Sequence, residues 1–267
     1  MILEKRGGLV SFFHEMTYTE RRILMLEQKD EQLLIDLTSA RGVPGNEEEV
    51  REVFKAYAKD YADEIIFDGL GSVIAKHGQD EKSPRIFISG HMDEVGFMVT
   101  KITEKGFIEF QTLGGWWSQV MLAQQVEIKT REGKLIHGVI GCKPPHVLSV
   151  EARNKPYDIK EMFIDVGGSS EEEVKSWGVR PGDMITPYIE YKRLNDSKFL
   201  LAKAWDNRVG TAVALRVLEN LAKDGHPNQL FAGSDVMEEV GLRGARTSTY
   251  LADPEIAFAL DTGTAGD

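Results

Sequence analysis

Apolar and polar positions along this chain follow two different periods. Val50, Val53, Phe54, Tyr57, Ala58 and Tyr61 recur at i, i+3, i+4 spacing, which predicts a helix with one buried face. Asn46 stands where an N-cap belongs and Glu49, three residues on, completes a capping box. Glu47 and Glu48 favour the positive end of the dipole. Gly42-Val43-Pro44-Gly45 ahead of it is turn chemistry, and Leu33, Leu34 and Leu37 mark a shorter helix upstream. Ile65 to Lys76 reads as two short strands around Asp68-Gly69-Leu70-Gly71. Arg85 to Gly90 reads as a buried strand that delivers His91 at its C-terminal end.

From Val95 to about Tyr191 the period shortens to two. Gln125 to Lys129 and Leu135 to Ile140 alternate around a Glu132-Gly133 turn, as strands of a small all-β module do. Its one convincing helix begins near Ser170, with Glu173 placed for a capping box and Gly178 placed to stop it. Helical spacing then returns: Val209, Val213, Val217 and Leu221, with Leu218 beside them, form an apolar stripe after Asp206. Leu230 to Val236 and Ile256 to Leu260 are predicted strands, each followed by acids. The predicted fold class is α/β: a mixed sheet flanked by helices and interrupted by a barrel-like β insert. No repeat or low-complexity tract is present.

Charge and composition narrow the function. The 267 residues carry a net charge of −11, which argues against a nucleic-acid partner, because that affinity comes from Lys and Arg on phosphates. No apolar run approaches the ~20 residues of a membrane span, and Leu9-Val10-Ser11-Phe12-Phe13 is too short for a signal-peptide core. Met16 is an alternative start. A single Cys142 leaves no internal disulfide framework, so a cytoplasmic location is expected.

The candidate chemistry lies in His91-Met92-Asp93, Asp206-Asn207, Glu238-Glu239 and Asp261, each at a predicted strand end or helix start. A two-metal hydrolase needs a bridging carboxylate, terminal His or carboxylate ligands, and a free carboxylate to take a proton from water. His91 suits a ligand, and Asp93 suits the carboxylate that orients it. Adjacent Glu238 and Glu239 suit a division between general base and ligand, and should lie in a turn just past their strand. Taken singly, each cluster also fits a solvated surface or a helix cap; the ordered set is what points to a metal. Borderline ions such as Zn2+ or Co2+ fit a His-plus-carboxylate set better than Ca2+. His14, His77, His137, His146 and His226 read as surface or structural residues.

Four strings carry a family resemblance: Arg41-Gly42-Val43-Pro44-Gly45-Asn46-Glu47, Ser89-Gly90-His91-Met92-Asp93-Glu94-Val95-Gly96, Ala204-Trp205-Asp206-Asn207-Arg208 and Glu238-Glu239-Val240-Gly241-Leu242-Arg243-Gly244. They resemble the M42 metallo-aminopeptidases, as do Ala259-Leu260-Asp261 with Gly263 and Ala265-Gly266-Asp267. The resemblance implies a metal-dependent aminopeptidase that removes N-terminal residues from peptides with two divalent ions, Zn2+ or Co2+. His91 would bind one ion, Asp206 would bridge both, Glu239 and Asp261 would be terminal ligands, Glu238 the general base and Asp93 the residue orienting His91. It further implies a zinc-peptidase-like catalytic domain over 16–94 and 190–267 and an inserted dimerisation domain over 95–189, through which the family builds shells of twelve subunits. The family also supplies a second histidine ligand beyond the equivalent of Asp267, so the resemblance implies a C-terminally truncated chain. Two alternatives stand beside it: an inactive fragment that retains only oligomerisation, and a di-metal deacylase of amino-acid derivatives.

Overall fold

The computed structural model describes residues 27–78, 80, 82–195 and 199–263. The Leu9–Phe13 segment, Met16, His14 and the end of the last family string lie outside them. The chain opens with α1 (Gln28–Ser39) and α2 (Glu48–Ala58), followed by β1 (Glu64–Phe67), β2 (Val73–His77) and β3 (Arg85–His91). The middle holds β4 (Gly96–Ile102), β5 (Ile108–Leu113), β6 (Gln125–Lys129), β7 (Leu135–Gly141), α3 (Val150–Arg153), β8 (Phe163–Asp165), α4 (Glu171–Ser176) and β9 (Met184–Pro187). After the short ribbon β10 (Lys192–Arg193) and β11 (Leu200–Leu201) come α5 (Trp205–Asp224), β12 (Gln229–Asp235), α6 (Arg243–Ala252) and β13 (Ile256–Ala259). None of the described helices is long and apolar enough to cross a membrane.

Two sheets organise these elements. One is five-stranded, ordered β1-β2-β12-β3-β13, with β12 and β13 parallel to β3 and the β1–β2 and β2–β12 pairs antiparallel. The other is a closed barrel, β4-β5-β8-β7-β6-β9. Parallel pairing puts the C-terminal ends of β3, β12 and β13 along one edge, where ligands sit in open α/β sheets. Leu33, Leu37, Val50, Phe54, Leu215 and Leu218 pack the helices onto one face of the sheet. Ile74, Phe87, Phe231 and Ala252 pack the other. Val126, Ile128, Ile140, Ile164 and Ile185 fill the barrel, where strand alternation turns their side chains inward. Full burial of a side chain of this size contributes about 1.5–3 kcal/mol.

Helix α5 reaches β3 by a close backbone approach. A Cβ on Gly90 would lie 2.6 Å from the Gly210 carbonyl carbon and 2.7 Å from the Thr211 nitrogen. This contact corrects the predicted helix face in part: Leu218 is buried and Val217 and Leu221 pack against the core as expected, but Thr211, Ala214 and Leu215 are buried as well, whereas Val213 is exposed. At the tight approach to the strand the helix presents the small residues Gly210 and Thr211.

The capping box at Asn46 is also corrected. Helix α2 begins after Glu47 with no side-chain cap, and the Glu49 carboxylate instead accepts from the Arg41 amide, the Arg41 guanidinium and Lys129 Nζ at 3.1, 3.2 and 2.7 Å. Lys129 belongs to the barrel, and Arg41 also bonds Glu127 on the same strand (2.8 Å). The carboxylate meant for a local cap therefore ties the helical body to the barrel. At α4 half of the expected box forms: the Ser170 hydroxyl accepts from the Glu173 amide, but Glu173 reaches back to Ser169. Gly178, at φ +98°, ends that helix in the left-handed region that glycine enters without strain.

Candidate metal centre and active site

The site is assembled from four segments that meet at the edge of the parallel strands. His91 ends β3 and pairs in register with Asp235 of β12, and the Met92 amide donates to the Asp235 carbonyl (2.7 Å). The chain leaves β12 through Val236 and Met237, so Glu238 and Glu239 fall in the turn beyond the strand, where the sequence places them. Asp206 stands at the start of α5, where it and Asn207 keep non-helical backbone angles and share a cis peptide bond. Asp261 follows β13. Its approach is fixed by the Leu260 amide on the Ser89 carbonyl (2.8 Å) and by Asn207 Nδ2 on the Leu260 carbonyl (2.7 Å).

These placements gather one imidazole and four carboxylates. His91 Nε2 lies 3.1 Å from Asp206 Oδ1 and 3.6 Å from Glu238 Oε2. Ligand atoms of His91, Asp206 and Asp261 lie within 4.8 Å of one another, as do those of His91, Glu238 and Glu239. Behind the imidazole, Nδ1 is 3.1 Å from the Asp93 carbonyl oxygen and 3.4 Å from its carboxylate. That carboxylate is fully buried and accepts from the amides of Glu238 (2.9 Å) and Glu239 (3.0 Å). Asp93 therefore steadies the Glu238-Glu239 turn as well as standing against His91, a second task that its sequence position does not reveal.

The electrostatics are those of a site short of positive charge. Burial opposes ionisation of His91, but Asp93, Glu238 and Asp206 around it outweigh that and hold its pKa up at about 9. Burial raises Glu239 to about 7; His91 pulls it down, while Asp206, Asp93 and Glu238 push it up. Glu238 is raised by the same combination of burial and neighbouring acids. Carboxylates brought this close repel one another, and a divalent cation would relieve them while taking the lone pair of a neutral imidazole. A His-plus-carboxylate donor set of this size therefore fits a borderline divalent ion.

Beneath the site lies a buried charge cluster that the sequence did not single out. Glu94 bonds Lys203 Nζ (2.5 Å) and Arg208 Nη2 (3.2 Å), and all three side chains are buried. Lys203 and Arg208 in turn donate to the Ala40 carbonyl at 2.9 and 3.0 Å, and Arg208 also reaches the Leu37 carbonyl. Glu94 follows the His91 segment, whereas Lys203 and Arg208 flank Asp206, so the cluster joins the two. The available signal was three charged residues beside candidate ligands in otherwise buried stretches. Elsewhere, His77 Nδ1 meets His226 Nε2 at 2.7 Å where β12 begins, at the far end of the strand from His91. His137 stands 3.6 Å from Glu127 on the barrel.

Comparison with known proteins identifies the family. The family model for M42 glutamyl aminopeptidase matches residues 71–267, and a model designated AMPT matches 28–54. FrvX of Escherichia coli strain K12, named as a provisional aminopeptidase, is 44% identical over 88% of this chain and 65% of its own length. Glutamyl aminopeptidase of Lactococcus lactis is 38% identical over 86% of this chain and 66% of its own. Lysyl aminopeptidase of Pyrococcus furiosus is 32% identical over 87% and 66%. The chain thus spans just under two thirds of these relatives. Among solved structures, a TET aminopeptidase from a marine-sediment Thaumarchaeota archaeon superposes with a TM-score of 0.87 at 41% identity, over 90% of this chain and 68% of that one. The Pyrococcus horikoshii TET1 peptidase, which assembles into a tetrahedron or a large octahedral shell, does so with 0.77 at 30% identity, over 87% and 68%. By this match over most of its length, the chain belongs to the M42 glutamyl aminopeptidase family.

Proposed function

We propose that the protein is a metal-dependent aminopeptidase that hydrolyses the first peptide bond of a peptide. The observation that carries the proposal is the convergence of His91, Asp206, Glu238, Glu239 and Asp261 from separate segments at one strand edge. His91, Asp206 and Asp261 would hold one ion, and Asp206 would be shared with a second ion beside Glu239, each Zn2+ or Co2+. Bound there, a divalent ion supplies Lewis acidity towards the scissile carbonyl and lowers the pKa of water.

The chain's own groups do the rest. Glu238 takes a proton from the attacking water and returns it to the departing amine as the C–N bond breaks. Burial and acidic neighbours raise its pKa, as suits a carboxylate that must take a proton from water. Asp93 holds the Glu238 and Glu239 amides and backs the His91 ring, so base and ligands keep their places without substrate. Residues 16–94 and 190–267 would be catalytic, and 95–189, which includes the barrel, would form the dimer from which larger shells would be built. The shell-forming TET1 peptidase supports that reading, and the single Cys142 suits the cytoplasm.

The test is hydrolysis of aminoacyl-p-nitroanilides (Leu, Ala, Glu, Asp and Lys) by the 267-residue chain with Zn2+ or Co2+, with and without chelator. Metal-dependent release that falls 10²–10⁴-fold in Glu238→Gln is expected. Release that persists in chelator, or in Glu238→Gln at the parent rate, would refute the assignment.

A further inference from the structure

The turn that carries Glu238 and Glu239 begins on a strained residue. Met237 has φ 53°, in the left-handed region that a residue with a side chain enters only when its surroundings hold it there. Three consecutive amides, those of Met237, Glu238 and Glu239, donate to two buried carboxylates. Asp93 takes the second and third. The first goes to Glu47, whose Oε1 accepts from the Met237 amide at 3.2 Å and from the Gly45 amide at 2.7 Å. Glu47 is 4% exposed, its side chain bonds the Gly45 and Met237 amides and not the candidate ligands, and it sits 190 residues from the turn that it holds.

We propose that Glu47 is a positioning residue for the active site: with Asp93 it locks the 237–239 backbone so that the Glu238 and Glu239 side chains face His91. The proposal rests on the functional reading above. The Arg243 amide holds the Met237 carbonyl (3.2 Å), but Asp93 does not reach the Met237 amide, and Glu47 supplies its acceptor from the loop before α2. The geometry makes the role one of reach and not of charge, because a single oxygen bridges two amides. A glutamine carbonyl can do the same, whereas an aspartate, one methylene shorter, cannot span Gly45 and Met237 together.

The experiment titrates Co2+ into the 267-residue chain by calorimetry and by its visible absorption, for the parent, Glu47→Gln and Glu47→Asp. Circular dichroism checks that each is folded. The expected result is Glu47→Gln within about threefold of the parent, and Glu47→Asp weakened about 10–100-fold with an altered Co2+ spectrum. On p-nitroanilide substrates kcat should fall in Glu47→Asp with KM little changed. Glu47→Asp binding as the parent does, or Glu47→Gln being as impaired as Glu47→Asp, overturns the proposal, as does a lower melting temperature with unchanged Co2+ affinity. Hydrogen exchange on the parent alone gives a second check: the Met237 amide should be protected like those of Glu238 and Glu239, and fast exchange there overturns the proposal. A parent that binds no Co2+ takes down the functional reading and this inference together, whereas a parent that binds it beside indifferent variants takes down only the inference.

Discussion

Replacing Glu94 by Gln removes a carboxylate that bonds two buried cations, Lys203 and Arg208. Both cations also donate to main-chain carbonyls at 37–42, so neither can swing out to water without abandoning those acceptors. Breaking a buried ion pair in this way costs about 3–5 kcal/mol, a large part of a total stability of about 5–15 kcal/mol. The exposed pair Lys55–Glu52, 2.8 Å apart, provides the internal contrast, since such pairs contribute about 0–1 kcal/mol. At about 3 kcal/mol per molar urea, the Glu94→Gln midpoint should fall by roughly 1–2 M, and that of Glu52→Gln should hardly move.

The cost should also depend on pH. Burial, the first cause, already pulls the Lys203 pKa down, and without Glu94 to raise it the folded value drops further. Between that depressed value and the ordinary lysine value of about 10.4, the unfolded chain binds more protons than the folded one, so stability rises with pH. Glu94→Gln should therefore be less destabilising at pH 9.5 than at pH 7, and Lys203→Met in the same background should recover part of the loss. A cost below about 1 kcal/mol, or one indifferent to pH, would refute this reasoning.

Further outcomes are expected elsewhere. Gly90→Ala should destabilise by about 1–3 kcal/mol and weaken Co2+ binding, because its Cβ meets the backbone of α5 just after Asp206; calorimetry and a urea melt report both. Asp206→Ala should abolish high-affinity metal binding, and two tightly held ions in that variant, by metal analysis after dialysis, would sink the assignment of a shared ligand. Glu47 is raised to about 7, first by burial and also by Asp93, so the folded chain holds its proton longer than the unfolded one. Its contribution to stability should thus fall as pH rises from about 4.5 to 7, a slope that urea melts should find reduced in Glu47→Gln.

The legible parts of this molecule are those whose cause is local. Periodicity placed α1, α2, β3, β12 and β13, and the acids at strand ends followed from what a hydrolytic metal site needs. Partners distant in sequence were not legible. Glu49 has the spacing of a cap, yet it is drawn to Lys129, 80 residues away, because a half-buried charge pair outbids one amide. The valine stripe on α5 has the right period, but which face turns inward is decided by Gly90, whose missing side chain lets β3 touch the α5 backbone at Gly210 and Thr211. Glu47 looked like a helix-dipole residue and Arg208 like the end of a motif; their buried roles depend on chain segments that only the fold brings together.

His91 and the surrounding acids are proposed to hold a divalent ion. The most direct test is a crystal of the chain soaked in Zn2+, with anomalous data collected on either side of the zinc edge. The expected result is a strong peak bounded by His91 Nε2, Asp206 and Asp261, with Glu238 nearby and free of it. A map blank at that position, or zinc found only between His77 and His226, would contradict it.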